Sequence, residues 1–217
     1  MTGDLELRGL RVFHQNALVV SLNLAVAPGE VLTIMGPSGS GKSTALAALM
    51  GTLPAVFRIE GQVILAGRDI TTLPPHLRRV GLLFQDDVLF PHLSVGENLA
   101  FALPPAVKGR MARRAAVNMA LEAADLAGFA PRDPATLSGG QRARVALMRT
   151  LLAQPGALLL DEPFSRLDAS LRAQIRGFVL SRVREKQLPA ILVTHDAEDA
   201  IAAMGPVISP VGVKLAL

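Results

Sequence analysis

The chain has 217 residues, half of them hydrophobic, a formal net charge of +4 and no cysteine. This length and hydrophobic content predict one domain, or one core with a subdomain attached, and exclude global disorder. The lack of cysteine excludes a disulfide framework and a thiolate metal site. The longest apolar runs cover only a few residues, far short of the roughly 20 that a membrane-spanning helix needs, while the basic balance leaves phosphate groups, nucleic acid or an anionic membrane surface open as partners.

The N-terminal part has the pattern of short strands followed by one helix. Apolar and polar residues alternate in Leu18–Val26, which is the periodicity of a strand with one buried face. Val31–Met35 is almost entirely apolar, as a strand buried on both faces of a parallel sheet should be. The predicted elements are strands at Leu5–Leu10, Leu18–Val26 and Val31–Met35 and a helix at Ala45–Met50.

The remaining sequence alternates strands with helices around a purely helical stretch. From Ser94 to about Gly128 the pattern is helical, and Val107–Ala127 has its apolar residues at helical spacing. The other predicted elements are strands at Gln62–Leu65, Val80–Phe84, Ala157–Leu160 and Ala190–Val193 and helices at Gln141–Ala153 and Ala169–Glu185. This alternation predicts an α/β fold with a parallel sheet and an all-helical insertion.

A glycine-rich loop follows the strand Val31–Met35 and leads into the first helix. Its spacing, Gly36-x-x-x-x-Gly41-Lys42-Ser43, is typical of a phosphate-binding loop, in which backbone N–H groups and the helix N-terminus surround the phosphates. Lys42 would reach the β- and γ-phosphates, and the Ser43 hydroxyl could ligate Mg²⁺. The alternative is a chance glycine-rich turn. The candidate binding residues are Gly36, Pro37, Ser38, Gly39, Ser40, Gly41, Lys42, Ser43 and Thr44.

Two further patterns place polar groups where a nucleotide could use them. The apolar strand Ala157–Leu160 ends in two acids, so Asp161 would hold Mg²⁺ through water and Glu162 would polarise the attacking water. Acids after a strand are common, so this pattern depends on the glycine-rich loop. The other is a helix start rich in small residues, which could be a second anion site or a capped helix without a ligand. Its residues are Ser138, Gly139, Gly140 and Gln141.

Three motifs follow one another along the chain: the glycine-rich loop, Leu137-Ser138-Gly139-Gly140-Gln141, and the apolar strand that ends in Asp161-Glu162. In this order they resemble the motifs of the nucleotide-binding subunit of ABC transporters, and the resemblance covers nearly the whole chain. The resemblance implies a P-loop ATPase that uses ATP and Mg²⁺, with a mostly parallel sheet, an antiparallel β subdomain and an α-helical subdomain. It implies a nucleotide-binding core at residues 1–85 and 155–217 and a helical subdomain at residues 86–154.

The resemblance also assigns roles to residues that patterns alone would leave open. Gln85 matches the glutamine that contacts Mg²⁺ and the attacking water, and His195 matches the histidine that contacts the γ-phosphate. Asp168 matches the D-loop aspartate, although Arg166 stands nearby where alanine is common. Phe13 resembles the aromatic residue that stacks on adenine, with core packing as the rival interpretation.

The same resemblance implies partners and a mechanism. Two copies would close head to tail on ATP, with the Ser138 segment of one copy contacting the nucleotide of the other. Leu89, Phe90 and Leu93 would contact an integral membrane permease, with the chain on the cytoplasmic side of the membrane and a periplasmic solute-binding protein in the full system. Importers of small solutes are the nearest resemblance. The alternatives are an exporter or lipoprotein-release subunit and a non-transport ABC ATPase acting on nucleic acid.

Overall fold

A computed structural model describes residues 3–86 and 88–216. The chain divides into two compact units. The first comprises Met1–Leu82, Gly156–Glu162 and Leu180–Leu217, and the second comprises Leu83–Pro155 and Pro163–Val179. Each unit is described by itself below.

The first unit contains an antiparallel sheet of four strands in the order β2, β1, β4, β5. Its long strands bury apolar side chains at Leu5, Leu7, Leu10 and Val12 and so supply one side of the hydrophobic core. The strands are β1 (Leu5–His14), β2 (Ala17–Val26), β4 (Phe57–Leu65) and β5 (Arg68–Asp69). β1, β2 and β4 are longer than the sequence pattern predicts, and β1 and β4 continue to pair with each other beyond their predicted ends. β5 was not predicted.

The other sheet has the strand order β6, β7, β8, β3, β9, and β7–β8, β8–β3 and β3–β9 are parallel pairs. Its strands are β3 (Val31–Met35), β6 (Val80–Leu83), β7 (Ala157–Asp161), β8 (Ala190–Thr194) and β9 (Val207–Ile208). All five residues of β8 are buried, as expected for a strand covered on both faces. The prediction of a mostly parallel sheet with a separate antiparallel sheet is confirmed.

Helix α1 (Lys42–Met50) is held at its C-terminal end by an arginine from elsewhere in the first unit. Arg78 is only 5% exposed, and its guanidinium donates hydrogen bonds to the carbonyls of Ala48 and Leu49 at 2.8 and 3.0 Å. Gly51 ends the helix in the left-handed conformation, where a Cβ would lie 2.4 Å from Nε of Arg78. Because α1 follows the glycine-rich loop, this contact fixes the element on which the loop depends.

The second unit is helical. Its elements are α2 (Val95–Phe101), α3 (Arg110–Ala123), α4 (Gly139–Leu152) and most of α5 (Ala169–Glu185). The helical pattern predicted over Ser94–Gly128 is broken between α2 and α3, where Pro104 and Pro105 lack the N–H groups that a helix needs. Val107–Ala127 is helical only within Arg110–Ala123, which is flanked by positive φ angles at Gly109 and Asp125. Among the described residues, no helix is long and apolar enough to cross a membrane.

Candidate functional site

The glycine-rich loop has a backbone that only glycine allows at two of its positions. Gly39 and Gly41 have φ angles of 79° and 101°, in the left-handed region. A Cβ on Gly41 would also lie 2.8 Å from the carbonyl oxygen of Val19. The loop leads directly into α1, whose first N–H groups have no partner within the helix. The buried hydroxyl of Ser40 has no hydrogen-bond partner among the described residues, so the loop offers donors that suit a phosphate group.

The side chain of Lys42 lies inside this loop. It is 6% exposed, and its Nζ donates hydrogen bonds to the carbonyls of Gly36 and Pro37 at 2.8 and 2.9 Å. The same Nζ is 3.7 Å from Oε1 of Glu162. A buried ammonium needs partners of opposite polarity. These neutral carbonyls are acceptors that phosphate oxygens can replace.

Glu162 stands between Lys42 and His195. Its Oε2 lies 3.2 Å from Nδ1 of His195, and its backbone N–H donates to the carbonyl of Val193 at 2.9 Å. Its φ angle is 44°, which is unfavourable for a residue with a side chain. Strained backbone of this kind is concentrated at functional sites. The structure therefore brings together three predicted site residues: the lysine, the acid and the histidine.

Asp161 ends β7 immediately before Glu162. Burial, and then the charge of Glu162, raise the pKa of Asp161, while Lys42 lowers it. Two adjacent carboxylates in this setting favour a bound cation. The described residues contain no cluster of three or more groups that could hold a metal by themselves. Mg²⁺ that arrives with a nucleotide needs only one or two protein ligands, because phosphates and water supply the rest, so Asp161 and the Ser43 hydroxyl fit it.

A cavity of about 360 Å³ opens over the loop in the first unit. It is lined by Val19, loop and helix residues between Ser38 and Thr44, Glu162, and the rings of His14 and Phe57. These two rings lie 5.0 Å apart and are tilted by 39°. Phe13 is not part of this lining, and the guanidinium of Arg58 lies 4.3 Å from its ring centre. The aromatic end of the cavity is thus formed by residues that the sequence analysis did not select.

The Ser138 segment begins helix α4 in the second unit with a capping box. The hydroxyl of Ser138 accepts from the N–H of Gln141 at 3.3 Å, and the side chain of Gln141 accepts from the N–H of Ser138 at 3.0 Å. A Cβ on Gly140 would lie 2.5 Å from Cδ1 of Leu171 on α5, so this glycine allows the two helices to pack closely. Gly139 retains more space, at 3.7 Å from Leu167.

Gln85 lies in the second unit and lines a cavity of about 420 Å³ that Gly139 and Arg166 also line. The next residue, Asp86, forms an ion pair with Arg166. Asp168 accepts a hydrogen bond from the N–H of Leu171 at 3.0 Å, which caps the start of α5. Arg166 therefore contacts the residue that follows Gln85 within the same chain.

Comparison with known proteins identifies the family. The ABC transporter family model matches residues 19–165. The uncharacterized ABC transporter ATP-binding protein YnjD of Escherichia coli is 52% identical over 188 residues, which cover 87% of this chain and 86% of that protein. The chain belongs to the ABC transporter family. Like other ATP-binding proteins of this family, it is an ATPase.

Two other ABC proteins show how far the similarity extends. The thiamine import ATP-binding protein ThiQ of Cereibacter sphaeroides is 41% identical over 87% of this chain and 80% of its own length. The putative 2-aminoethylphosphonate import ATP-binding protein PhnT of Salmonella typhimurium is 39% identical over 92% of this chain. This ABC chain spans about half the length of PhnT, 54%.

The sequence of this ABC ATPase did not predict two side chains that line the cavity, those of His14 and Phe57, or one ion pair. His14 is adjacent to the selected Phe13, but the chain pattern does not indicate which of the two faces the loop. Phe57 comes from a strand that pairs with β1 across more than 40 intervening positions. The Asp86–Arg166 pair joins residues 80 positions apart. Of these residues, only Arg166 was notable in the sequence, because alanine is common at its position in the family. Phe13 and His195 both lie outside the segment that the family model matches.

Proposed function

We propose that this ABC ATPase powers solute import, and that two copies close head to tail around ATP for each cycle of hydrolysis. The observation that carries the proposal is the group of Lys42, Glu162 and His195 beside the glycine-rich loop. The import direction is supported by ThiQ and PhnT, whose names describe import ATP-binding proteins.

The residues around the loop suit phosphoryl transfer to water. Lys42 would exchange its carbonyl partners for the β- and γ-phosphates, and Glu162 would orient and deprotonate the attacking water. His195 would hold the carboxylate of Glu162 and contact the γ-phosphate. Ser43, Asp161 and Gln85 are the proposed residues around Mg²⁺, which when bound supplies neutralising charge to the phosphates.

Dimer closure would use the Ser138 segment of the second copy. Its serine hydroxyl and the first N–H groups of α4 suit a phosphate, and Asp168 lies in the D-loop, which would contact the partner copy. ATP would favour the closed dimer because only that state makes contacts from both copies.

The membrane permease is the proposed partner of the segment after Gln85, which would bring the chain to the cytoplasmic face of the membrane. Leu89, Phe90 and Leu93 are half-buried, whereas Val88 and Phe101 are 53% and 69% exposed. The ring of Phe90 packs on that of Phe101 at 5.0 Å. We therefore expect Val88 and Phe101 to make the outer contacts with the permease, supported by Phe90.

Replacing Lys42 with alanine is expected to weaken ATP binding at least about tenfold, because a charge-assisted contact to the phosphates is lost. Titration calorimetry with Mg²⁺ and ATP measures the change. Lys186→Ala is the matched control, since Lys186 is an exposed lysine in the same unit. Equal ATP affinity in Lys42→Ala and the parent would contradict the phosphate-binding role of the loop.

The base of the nucleotide is proposed to rest at the aromatic end of the cavity. The family resemblance implies Phe13 for this role, whereas the cavity lining favours His14 and Phe57. We expect His14→Ala and Phe57→Ala each to weaken ATP binding by about 5- to 100-fold, because one base-stacking contact usually contributes that much to binding affinity. Inorganic tripolyphosphate, which has no base, should bind all variants equally. If Phe13→Ala alone weakens ATP binding, the base stacks on Phe13.

A further inference from the structure

The segment Val88–Leu93 is held from within the second unit by a buried amide. Asn98, on α2, is 0% exposed. Its Nδ2 donates hydrogen bonds to the carbonyls of Phe90 and Leu93, both at 3.1 Å, and its Oδ1 accepts from the N–H of Phe90 at 2.8 Å. A buried side chain with this many backbone partners fixes the path of the segment.

A second side chain reaches the same segment from helix α4. NH1 of Arg149 donates to the carbonyl of Val88 at 2.9 Å and lies 3.4 Å from Oδ1 of Asn98. Its guanidinium is 5.3 Å from the centre of the Phe90 ring, within the range of a cation–π contact. Arg149 therefore contacts the start of the segment, its central ring and the amide that holds it.

Helix α4 begins at the Ser138 segment, which is proposed to contact ATP, and its Arg149 contacts Val88 of the segment proposed to face the permease. The helix therefore connects these two regions. Gly139 opens the helix and Arg149 lies ten positions along it, which corresponds to about 15 Å. Arg149 and the first turn belong to one continuous hydrogen-bonded helix, so a displacement of the first turn would displace Arg149 with it.

We propose that Arg149 is a positioning residue that couples the Ser138 end of α4 to Val88–Leu93, so that ATP contact at Ser138 is transmitted to the permease-facing segment. The proposal rests on the proposed function for the ATP contact at Ser138. The hydrogen bond and the ring contact of Arg149 are features of the structure and do not depend on the proposed function.

Helix α4 offers a matched control. NH1 of Arg144 donates to the carbonyl of Ala124 at 2.9 Å, and its guanidinium lies 5.1 Å from the centre of the Phe178 ring. Arg144 and Arg149 thus both combine a carbonyl hydrogen bond with a ring contact, and Arg144 adds an ion pair with Asp125 at 2.9 Å. Of the two arginines, only Arg149 contacts Val88–Leu93.

The test is amide hydrogen exchange of the peptide covering Val88–Leu93, with and without Mg²⁺ and ATP, in chains carrying Glu162→Gln to block turnover. In the parent we expect ATP to slow exchange in this peptide. Arg149→Gln should bind ATP as the parent does, yet exchange about tenfold faster in this peptide, the factor expected for loss of one hydrogen bond from a charged donor, and it should no longer respond to ATP. Arg149→Lys should restore part of the response, and Arg144→Gln should retain it fully.

The following outcomes would overturn the coupling. One is an ATP response in Arg149→Gln equal to that of the parent. Another is equal loss in Arg149→Gln and Arg144→Gln, which would mean that α4 only needs its arginines for packing. A parent that binds no ATP would contradict the proposed function as well, so ATP affinity is measured on the same samples to separate the two failures. If Arg149→Gln fails to fold, the exchange of Arg149→Lys decides in its place, since full retention of the parent's rate and response by a residue without the guanidinium would overturn the proposal.

Discussion

Replacing Glu162 with glutamine is expected to lower the rate of ATP hydrolysis by roughly 10²–10⁴-fold, or about 3–5 kcal/mol in the barrier. Glutamine keeps the shape of the side chain and can still contact His195, which lies 3.2 Å from Oε2. It cannot accept the proton of the attacking water, however, and it removes the carboxylate charge near Lys42. Phosphate release from the purified chain under saturating Mg²⁺ and ATP measures the effect.

The same variant tests dimer closure. Because binding is kept while turnover is blocked, Glu162→Gln should accumulate as a dimer when Mg²⁺ and ATP are added, which size-exclusion chromatography with light scattering would detect. Glu198→Gln is the control, since Glu198 is an exposed acid in the first turn of α6 (Ala197–Ala203). Turnover near that of the parent would remove Glu162 from its proposed role. A chain that stays monomeric with ATP bound, even with its permease, would contradict the closing dimer.

Replacing Arg78 with methionine is expected to lower the free energy of unfolding by about 3–5 kcal/mol. The guanidinium donates hydrogen bonds to four carbonyls. NH1 contacts those of Ala48 and Leu49 at the end of α1, while NH2 and Nε contact those of Thr71 and Leu73 at 2.5 and 2.7 Å. Methionine keeps the apolar stem but removes the guanidinium donor from all four carbonyls, of which that of Ala48 keeps a second donor, the N–H of Gly51 at 3.3 Å. Unfilled buried acceptors cost about 1–3 kcal/mol each where water cannot replace the donor.

Urea unfolding followed by circular dichroism measures this loss. Arg11→Met is the control, because Arg11 is half exposed and its ion pair with Glu60, at 3.4 Å, lies on the surface, where such pairs contribute about 0–1 kcal/mol. Arg78→Lys should give an intermediate loss, since it keeps the charge with fewer donors. A loss below about 1 kcal/mol in Arg78→Met would mean that water serves these carbonyls as well as the guanidinium does.

The agreement between sequence and structure is best where local pattern and packing coincide. Val31–Met35 and Ala169–Glu185 are observed with the predicted bounds. The first is a strand that is apolar except for Thr33 and the second a long helix without proline, so few alternatives compete. The prediction failed for the stretch between α2 and α3, where the apolar spacing continues through two prolines that interrupt the helix.

Short elements were missed for a different reason. β9 (Val207–Ile208) has two residues and exists because it pairs with β3. β5 (Arg68–Asp69) likewise depends on pairing with β4. Two residues carry too little pattern to predict a strand, so such elements depend on the neighbour that pairs with them.

The sequence by itself determined the local chemistry: a loop whose glycines adopt left-handed angles, a lysine at the start of α1, a serine-capped helix and a strand that ends in two acids. These features need only neighbours along the chain. Only the tertiary structure decided which groups meet. Lys42, Glu162 and His195 come together because the carboxyl ends of parallel strands share one edge of a sheet. His14, rather than Phe13, reaches the cavity because strand pairing sets which side chain faces it. Arg149 reaches Val88 across 61 positions because helix packing, which no local pattern encodes, places them side by side.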